Sequence, residues 1–348
     1  MDKTIYNRKT YLDVLKILAC VAVIMMHSTV ISTNSFMDWC IARVFNIIGN
    51  FAVPIFVMVS GALLLNPGKK ITVKNIFLKY IPKLIISLVL VNFIMNLVSG
   101  LLDRNLSFST LLYSICNVFL FRVSVPYWYI YMLIGLYLVT PILKEWINKA
   151  PLKNIEYFLI LFIGYRIIAY TILNIPEIDF FAKFKDVYSS IQLPIVTGYC
   201  GYFILGYYLS IKDFSKIKKP FLLILLFTVL ILTIALELFF AKSALDYTTS
   251  KTIFMDVFSI NIFCISVCLF LFVKSNITKY NSIVTHFSCK TYGIYLFHVL
   301  GLQLLSKFNV EYIPPIIYIP LCTIVVFLFS YLATSIIQKI PYINKYFK

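Results

Sequence analysis

Three residues near the start of the chain carry groups that can do chemistry together: Asp13, Lys16 and His27. On a helix at 100° per residue, eleven steps separate Lys16 from His27 and return to within about 20° of the same face. Asp13 lies about 40° from that direction, and Cys20 falls on the same stripe. The rise from Lys16 to His27 is roughly 16 Å at ~1.5 Å per residue. One helix face therefore places a cation near one end and an imidazole well along its length. An imidazole so placed can take a proton from a hydroxyl or accept an acyl group itself. The layout suits a substrate with an anionic head and a long thin arm, and acyl-coenzyme A has phosphates at one end and a thioester at the other. The bland alternative is a histidine bonded to a neighbouring helix, with Asp13 and Lys16 as interface charges.

Other reactive side chains stand in strongly apolar surroundings. Arg166 interrupts an otherwise uncharged run, and its guanidinium could hold a carboxylate or phosphate, or bond a carbonyl or tyrosine. His298 closes the stretch Tyr292-Gly293-Ile294-Tyr295-Leu296-Phe297-His298, where a substrate contact and a structural hydrogen bond are both open. Trp128 and Tyr129, in Tyr127-Trp128-Tyr129-Ile130-Tyr131 after Pro126, read as an aromatic belt or as a platform for a sugar. Glu237 and Asp256 fall near the ends of apolar runs. Pro54, Ser60 and Gly61 predict a kinked, closely packed helix. The eight cysteines lack a C-x-x-C or zinc spacing, so no metal site is expected.

The elements that position these groups follow from composition. The chain has 348 residues, of which 61% are hydrophobic, 17% aromatic and 13% charged, against about 45–50% apolar and about 25% charged in soluble domains. Such a chain cannot build a water-soluble surface, and its bulk apolar content excludes disorder and a disulfide scaffold. An all-α, polytopic membrane protein remains. A helix needs about 20 mostly apolar residues to cross the hydrocarbon. Uncharged runs predict about ten transmembrane helices, at 17–37, 44–68, 84–102, 123–143, 157–176, 187–211, 220–241, 257–273, 291–306 and 312–338. The segment 105–121 opens with Asn-Leu-Ser-Phe-Ser-Thr and is expected to lie in the interface or re-enter.

The formal net charge of +17 is then a statement about orientation. With ten spans and a cytoplasmic N-terminus, every inner segment holds at least three lysines or arginines and no outer segment more than two. An eleventh span would scramble this alternation, so both termini are expected in the cytoplasm. The excess attracts anionic lipid and an anionic donor rather than nucleic acid. The first apolar run is too long for a secretory h-region and lacks a cleavage site. Residues 1–348 read as one integral-membrane domain with no separate soluble domain.

Five stretches, in order, resemble the membrane-bound acyltransferase-3 family, closest to its surface-polysaccharide O-acetyltransferase branch. The first is Tyr11-Leu12-Asp13-Val14-Leu15-Lys16 ending in His27, similar to the family's Asp, basic residue and His spacing. The second is 53–61, similar to its apolar-Pro-x-Phe … Ser-Gly stretch. The third is Lys79-Tyr80-Ile81-Pro82, similar to its basic-x-x-Pro element. The fourth is Trp128-Tyr129-Ile130-Tyr131 followed by Gly135-Leu136-Tyr137-Leu138 and Thr140-Pro141. The fifth is 292–298, similar to its Gly-Ile-Tyr-Leu-x-His. Lys16 and Lys79 stand where arginine is usual, keeping the charge and losing the bidentate fork.

The resemblance implies transfer of an acetyl group from acetyl-CoA to a sugar hydroxyl. It makes His27 the reactive histidine, with Asp13 beside it and Lys16 and Lys79 near the donor's phosphates. From the residues themselves, Arg166 is expected to join the donor-binding cations, and Trp128, Tyr129 and His298 are expected at the acceptor. The expected partners are acetyl-CoA, a surface or capsular polysaccharide or its lipid-linked precursor, and the bacterial plasma membrane, with no permanently bound cofactor. Two competitors stand beside this reading: a transporter or flippase for a lipid-linked glycan, and a membrane sensor without chemistry. Acetyl-CoA binding separates the first from them.

Overall fold

The computed structural model describes residues 9–29, 35–175, 182–243, 253–308 and 313–347, and every regular element among them is helical. The first helix, α1 (Thr10–Ser28), starts seven residues before the uncharged run. Its first turns are buried, Asp13 included, so a charge next to protein rather than lipid does not end a helix. Helices α2 (Phe36–Gly49) and α3 (Ala52–Leu64) follow. The Ser35 side chain caps α2 by accepting from the Asp38 amide at 3.1 Å. The break between α2 and α3 falls just before Pro54, which occupies the third position of α3, where a missing N–H costs nothing. Of the expected spans, 30–34 in the first, Pro176 at the end of the fifth and Tyr312 at the start of the tenth lie outside the described residues.

The chain then runs from Val73 through a π-helical turn, Ile76–Tyr80, into α4 (Ile81–Leu102). Pro82 has no amide proton for the carbonyl four residues back, and the wider turn ahead of it absorbs the mismatch. Next come α5 (Phe108–Phe119), α6 (Trp128–Lys149) and α7 (Leu152–Leu173), the last with a π-helical stretch at Phe162–Ala169. Then follow α8 (Ala182–Ile191), α9 (Cys200–Ile211), α10 (Lys219–Ser243) and α11 (Ile260–Asn276). The described chain closes with α12 (Ser282–Ser288), α13 (Thr291–Leu305) and α14 (Pro315–Ile337).

Among the described residues, seven helical segments are long and apolar enough to cross a membrane: Thr10–Ser28, Phe36–Leu64, Val73–Leu102, Val125–Lys149, Leu152–Leu173, Lys219–Ala241 and Pro315–Ile337. The other three expected spans are the shorter helices α9, α11 and α13, of 12, 17 and 15 residues. At ~1.5 Å per residue they fall short of the ~30 Å hydrocarbon. They carry much of the buried core, including Tyr202, Phe203, Phe270, Ile294 and His298. A helix walled by protein need not match the thickness of the lipid. The uncharged run 187–211 is not one helix, because Pro194 and Gly198 divide it into α8, a single turn Pro194–Thr197, and α9. The segment 105–121 holds the 12-residue α5, too short to cross, as expected for an interfacial or re-entrant element.

Two features fix the bundle around α1. Helices α3 and α9 cross in backbone contact: a Cβ on Gly61 would lie 1.8 Å from the Phe203 carbonyl oxygen, and one on Gly206 would lie 1.9 Å from that of Met58. Only glycine permits this approach. On the periphery, fully buried Glu237 of α10 accepts from Arg43 Nε of α2 at 2.8 Å.

Candidate active site

The stripe on α1 faces α12 and the start of α13. Ser288 Oγ donates to Asp13 Oδ1 at 2.6 Å, and Lys16 Nζ lies 3.5 Å from the same oxygen. Cys20 Sγ lies 3.7 Å from the Thr291 carbonyl. The His27 ring is 5.4 Å from that of His298, centre to centre. Successive contacts climb both helices together, so α1 and α13 run side by side in the same direction. The helical spacing of Asp13, Lys16, Cys20 and His27 becomes a continuous seam.

At the end where α1 begins, lysines accumulate. Lys16, Lys69 and Lys79 all act electrostatically on Lys83. Burial, followed by the charges of Lys16, Lys79 and Lys144, holds the Lys69 ammonium below its usual pKa. Lys69 lies 5.5 Å over the Tyr80 ring and Lys83 lies 4.9 Å over that of Tyr292. The buried carboxylate of Asp13 is committed to Ser288 and Lys16. Lys144 is engaged elsewhere, its ammonium donating to the carbonyls of Leu64 and Asn66, which close α3. The loop bearing Lys69 is thereby tied to α6. Lys69 and Lys83 extend the cationic group beyond the Lys16 and Lys79 anticipated from sequence.

At the other end of α1, His27 and Ser28 line a cavity of about 680 Å³. Its walls come from α4 (Asn92, Asn96, Ser99), α5 (Asn117), the segment Arg122–Pro126, α13 (Leu302, Gln303) and its capping residue Ser306. Amides dominate it. The Asn92 side chain donates to the Ser114 carbonyl at 2.5 Å, and that of Asn96 donates to the Asn92 carbonyl at 2.8 Å. The Gln303 amide donates to Ser99 Oγ, while its own side-chain oxygen is buried without a partner among the described residues. Amide oxygens left open in this way can receive ligand hydroxyls. Arg122 is the charged side chain on this wall. Apart from His27, the sequence points to none of these as a site residue. The available signal was the presence of Asn92, Asn96 and Gln303 inside otherwise apolar runs, where an amide needs a partner.

Between the two ends lies an aromatic wall. Tyr129, Tyr295 and Phe56 meet edge to face or tilted, with Tyr129 and Tyr295 5.6 Å apart. Tyr295 continues to His298 at 5.5 Å. Tyr129 is buried and bonded to Ser60, and Trp128 leans on Tyr199 at 5.8 Å. The polar cavity does not include Trp128, Tyr129 or His298 among its lining residues. His298 is fully buried, with Nδ1 against the Tyr295 carbonyl. Arg166 is not brought to the lysines either: its guanidinium is sandwiched 4.0 Å from both Tyr170 and Phe258. Tyr170 in turn donates to Asp256 at 2.9 Å. That setting answers the cost of a cation in an apolar helix with aromatic faces.

The long apolar helices make this a multi-pass membrane protein. Residues 9–335 match the acyltransferase domain of the acyltransferase-3 family, and the chain belongs to that family. No curated relative and no solved structure matches the chain.

Proposed function

We propose that this protein is an O-acetyltransferase that moves an acetyl group from acetyl-CoA to a hydroxyl of a bacterial surface or capsular polysaccharide, or of its lipid-linked precursor. The observation that carries the reading is the position of His27 on the wall of an amide-rich cavity, at the far end of the helix whose start gathers the lysines. The alternation of basic residues supports a cytoplasmic lysine end, both termini in the cytoplasm and a plasma-membrane location. A volume of about 680 Å³ is within the range of small-ligand sites, and open amide oxygens favour a polyhydroxylated acceptor.

The phosphates of the donor rest among Lys16, Lys69, Lys79 and Lys83, and its arm follows the tyrosine-lined interior toward His27. His27 takes the proton of the acceptor hydroxyl as that oxygen attacks the thioester carbonyl. The C–S bond breaks, and the departing thiolate recovers the proton from the imidazolium. Asp13 holds the cationic end in register through Ser288 and Lys16 and is too far along α1 to touch the reacting carbon. The test is His27→Ala, checked for expression and insertion, with O-acetyl groups on the cell's glycan read by NMR. Loss of the acetyl signal supports the assignment, and an undiminished signal refutes it. Glycan movement across the membrane without acetyl-CoA consumption would favour the transport reading instead.

A further inference from the structure

A histidine that acts as a base needs an orienting partner, most often a carboxylate. The neighbour of His27 among the described residues is instead a second imidazole. The rings of His27 and His298 have centres 5.4 Å apart and planes tilted by 32°. His298 is fully buried, and its Nδ1 faces the backbone carbonyl of Tyr295. A carbonyl can only accept, so in the neutral ring Nδ1 carries the proton and Nε2 presents a lone pair. That Nε2 is buried with no hydrogen-bond partner among the described residues. Buried polar atoms are nearly always satisfied, and an orphan beside a reactive group marks a site waiting for a partner. His298 does not line the acceptor cavity, whereas its chain neighbour Val299 does.

We infer that His298 is the positioning residue for His27, accepting the N–H of the His27 ring directly or through one water. This rests on the acyl-transfer reading above. The fixed bond from His298 Nδ1 to Tyr295 makes Nε2 an obligate acceptor. A hydrogen bond to it holds the proton on one nitrogen of His27 and leaves the other as a lone pair for the acceptor hydroxyl. When His27 takes the hydroxyl proton, the C–O bond forms, the C–S bond breaks and the thiolate carries the proton away. His298 ends the cycle as it began, with no net gain or loss of a proton. The arrangement does with a second imidazole what a carboxylate does in a serine hydrolase triad, without placing a formal negative charge in an apolar interior.

The experiment uses the full chain in membrane vesicles that retain the cell's own glycan, with radiolabelled acetyl-CoA as the probe. Vesicles carry the unsubstituted protein, His298→Ala or His298→Gln, matched for protein amount and for monodispersity after extraction. Glutamine can set a side-chain oxygen near the place of Nε2. The expected result is a fall of about 10²-fold in maximal rate for His298→Ala with the KM for acetyl-CoA unchanged, and substantial recovery in His298→Gln. A merely structural role would move stability or KM and would not be rescued by the amide. Full activity in His298→Ala, or a Gln variant that is well folded and no better than Ala, overturns the inference. If the unsubstituted protein consumes no acetyl-CoA, the acyl-transfer reading fails and takes this inference with it. Normal consumption with normal turnover in both variants overturns this inference alone.

Discussion

Neutralising one lysine of the cationic group should weaken the donor by a predictable amount. Consider Lys69→Gln, which removes a charge that lies within reach of Lys16, Lys79 and Lys144. A unit charge about 7 Å from a phosphate in a medium of effective dielectric near 20 contributes about 2 kcal/mol. Screening at physiological salt, where the Debye length is about 8 Å, leaves roughly 1 kcal/mol. That corresponds to about a fivefold rise in the KM for acetyl-CoA with little change in maximal rate. The pH dependence has a definite sign. Burial and its cationic neighbours hold the Lys69 pKa below its usual value, so this ammonium is charged at low pH and discharges sooner than a free lysine as pH rises. Donor KM should therefore climb at alkaline pH. Lys79→Gln should move that climb to higher pH by relieving the repulsion on Lys69. The assay is acetyl-CoA consumption as a function of donor concentration, pH and salt, repeated with acetyl-dephospho-CoA. If Lys69→Gln leaves both KM and its salt dependence untouched, the lysines do not hold the phosphates and the directional reading of the site collapses.

Three further outcomes test other parts of the structure. Arg122→Ala and Asn96→Ala should raise the half-saturating concentration of glycan acceptor while leaving the KM for acetyl-CoA alone, as measured by acetyl incorporation into purified glycan. Ser288→Ala strips buried Asp13 of its 2.6 Å donor and should cost about 1–3 kcal/mol, read as a lower thermal midpoint in detergent. Gly206→Ala would place a Cβ 1.9 Å from the Met58 carbonyl oxygen. The crossing of α3 and α9 must then open, with a loss of at least about 1–3 kcal/mol and reduced yield of monodisperse protein.

The seam on α1 was legible because a helix repeats, and residues 13, 16, 20 and 27 return to one face whatever surrounds them. What that face would meet was not legible. Ser288, Thr291 and His298 are more than 270 residues away in the chain, and only the fold brings them alongside. The polar cavity escaped notice for the same reason: Asn92, Asn117 and Gln303 come from three helices and form no motif in any one of them. Counting uncharged residues found the long helices but overestimated the run at 187–211, since apolar content does not register that Pro194 and Gly198 interrupt the backbone. For Arg166 the sequence leaves an anion and a tyrosine both open, and the structure sets it against Tyr170. Its stacking between Tyr170 and Phe258 depends on Asp256 and its neighbours packing against α7, a contact that charge patterning does not encode.

The bond from Lys144 to the carbonyls of Leu64 and Asn66 bears on how tightly a donor can be held. A surface loop free to wander would have to be frozen each time a ligand arrived, at about 0.5–1.5 kcal/mol for every side chain immobilised. With α6 clamped to the end of α3, much of that ordering is completed when the protein folds. The cost is then borne once per molecule rather than once per turnover. A cut in this clamp, such as Lys144→Met, would leave the charge on Lys69 intact and still slacken the grip on its ligand.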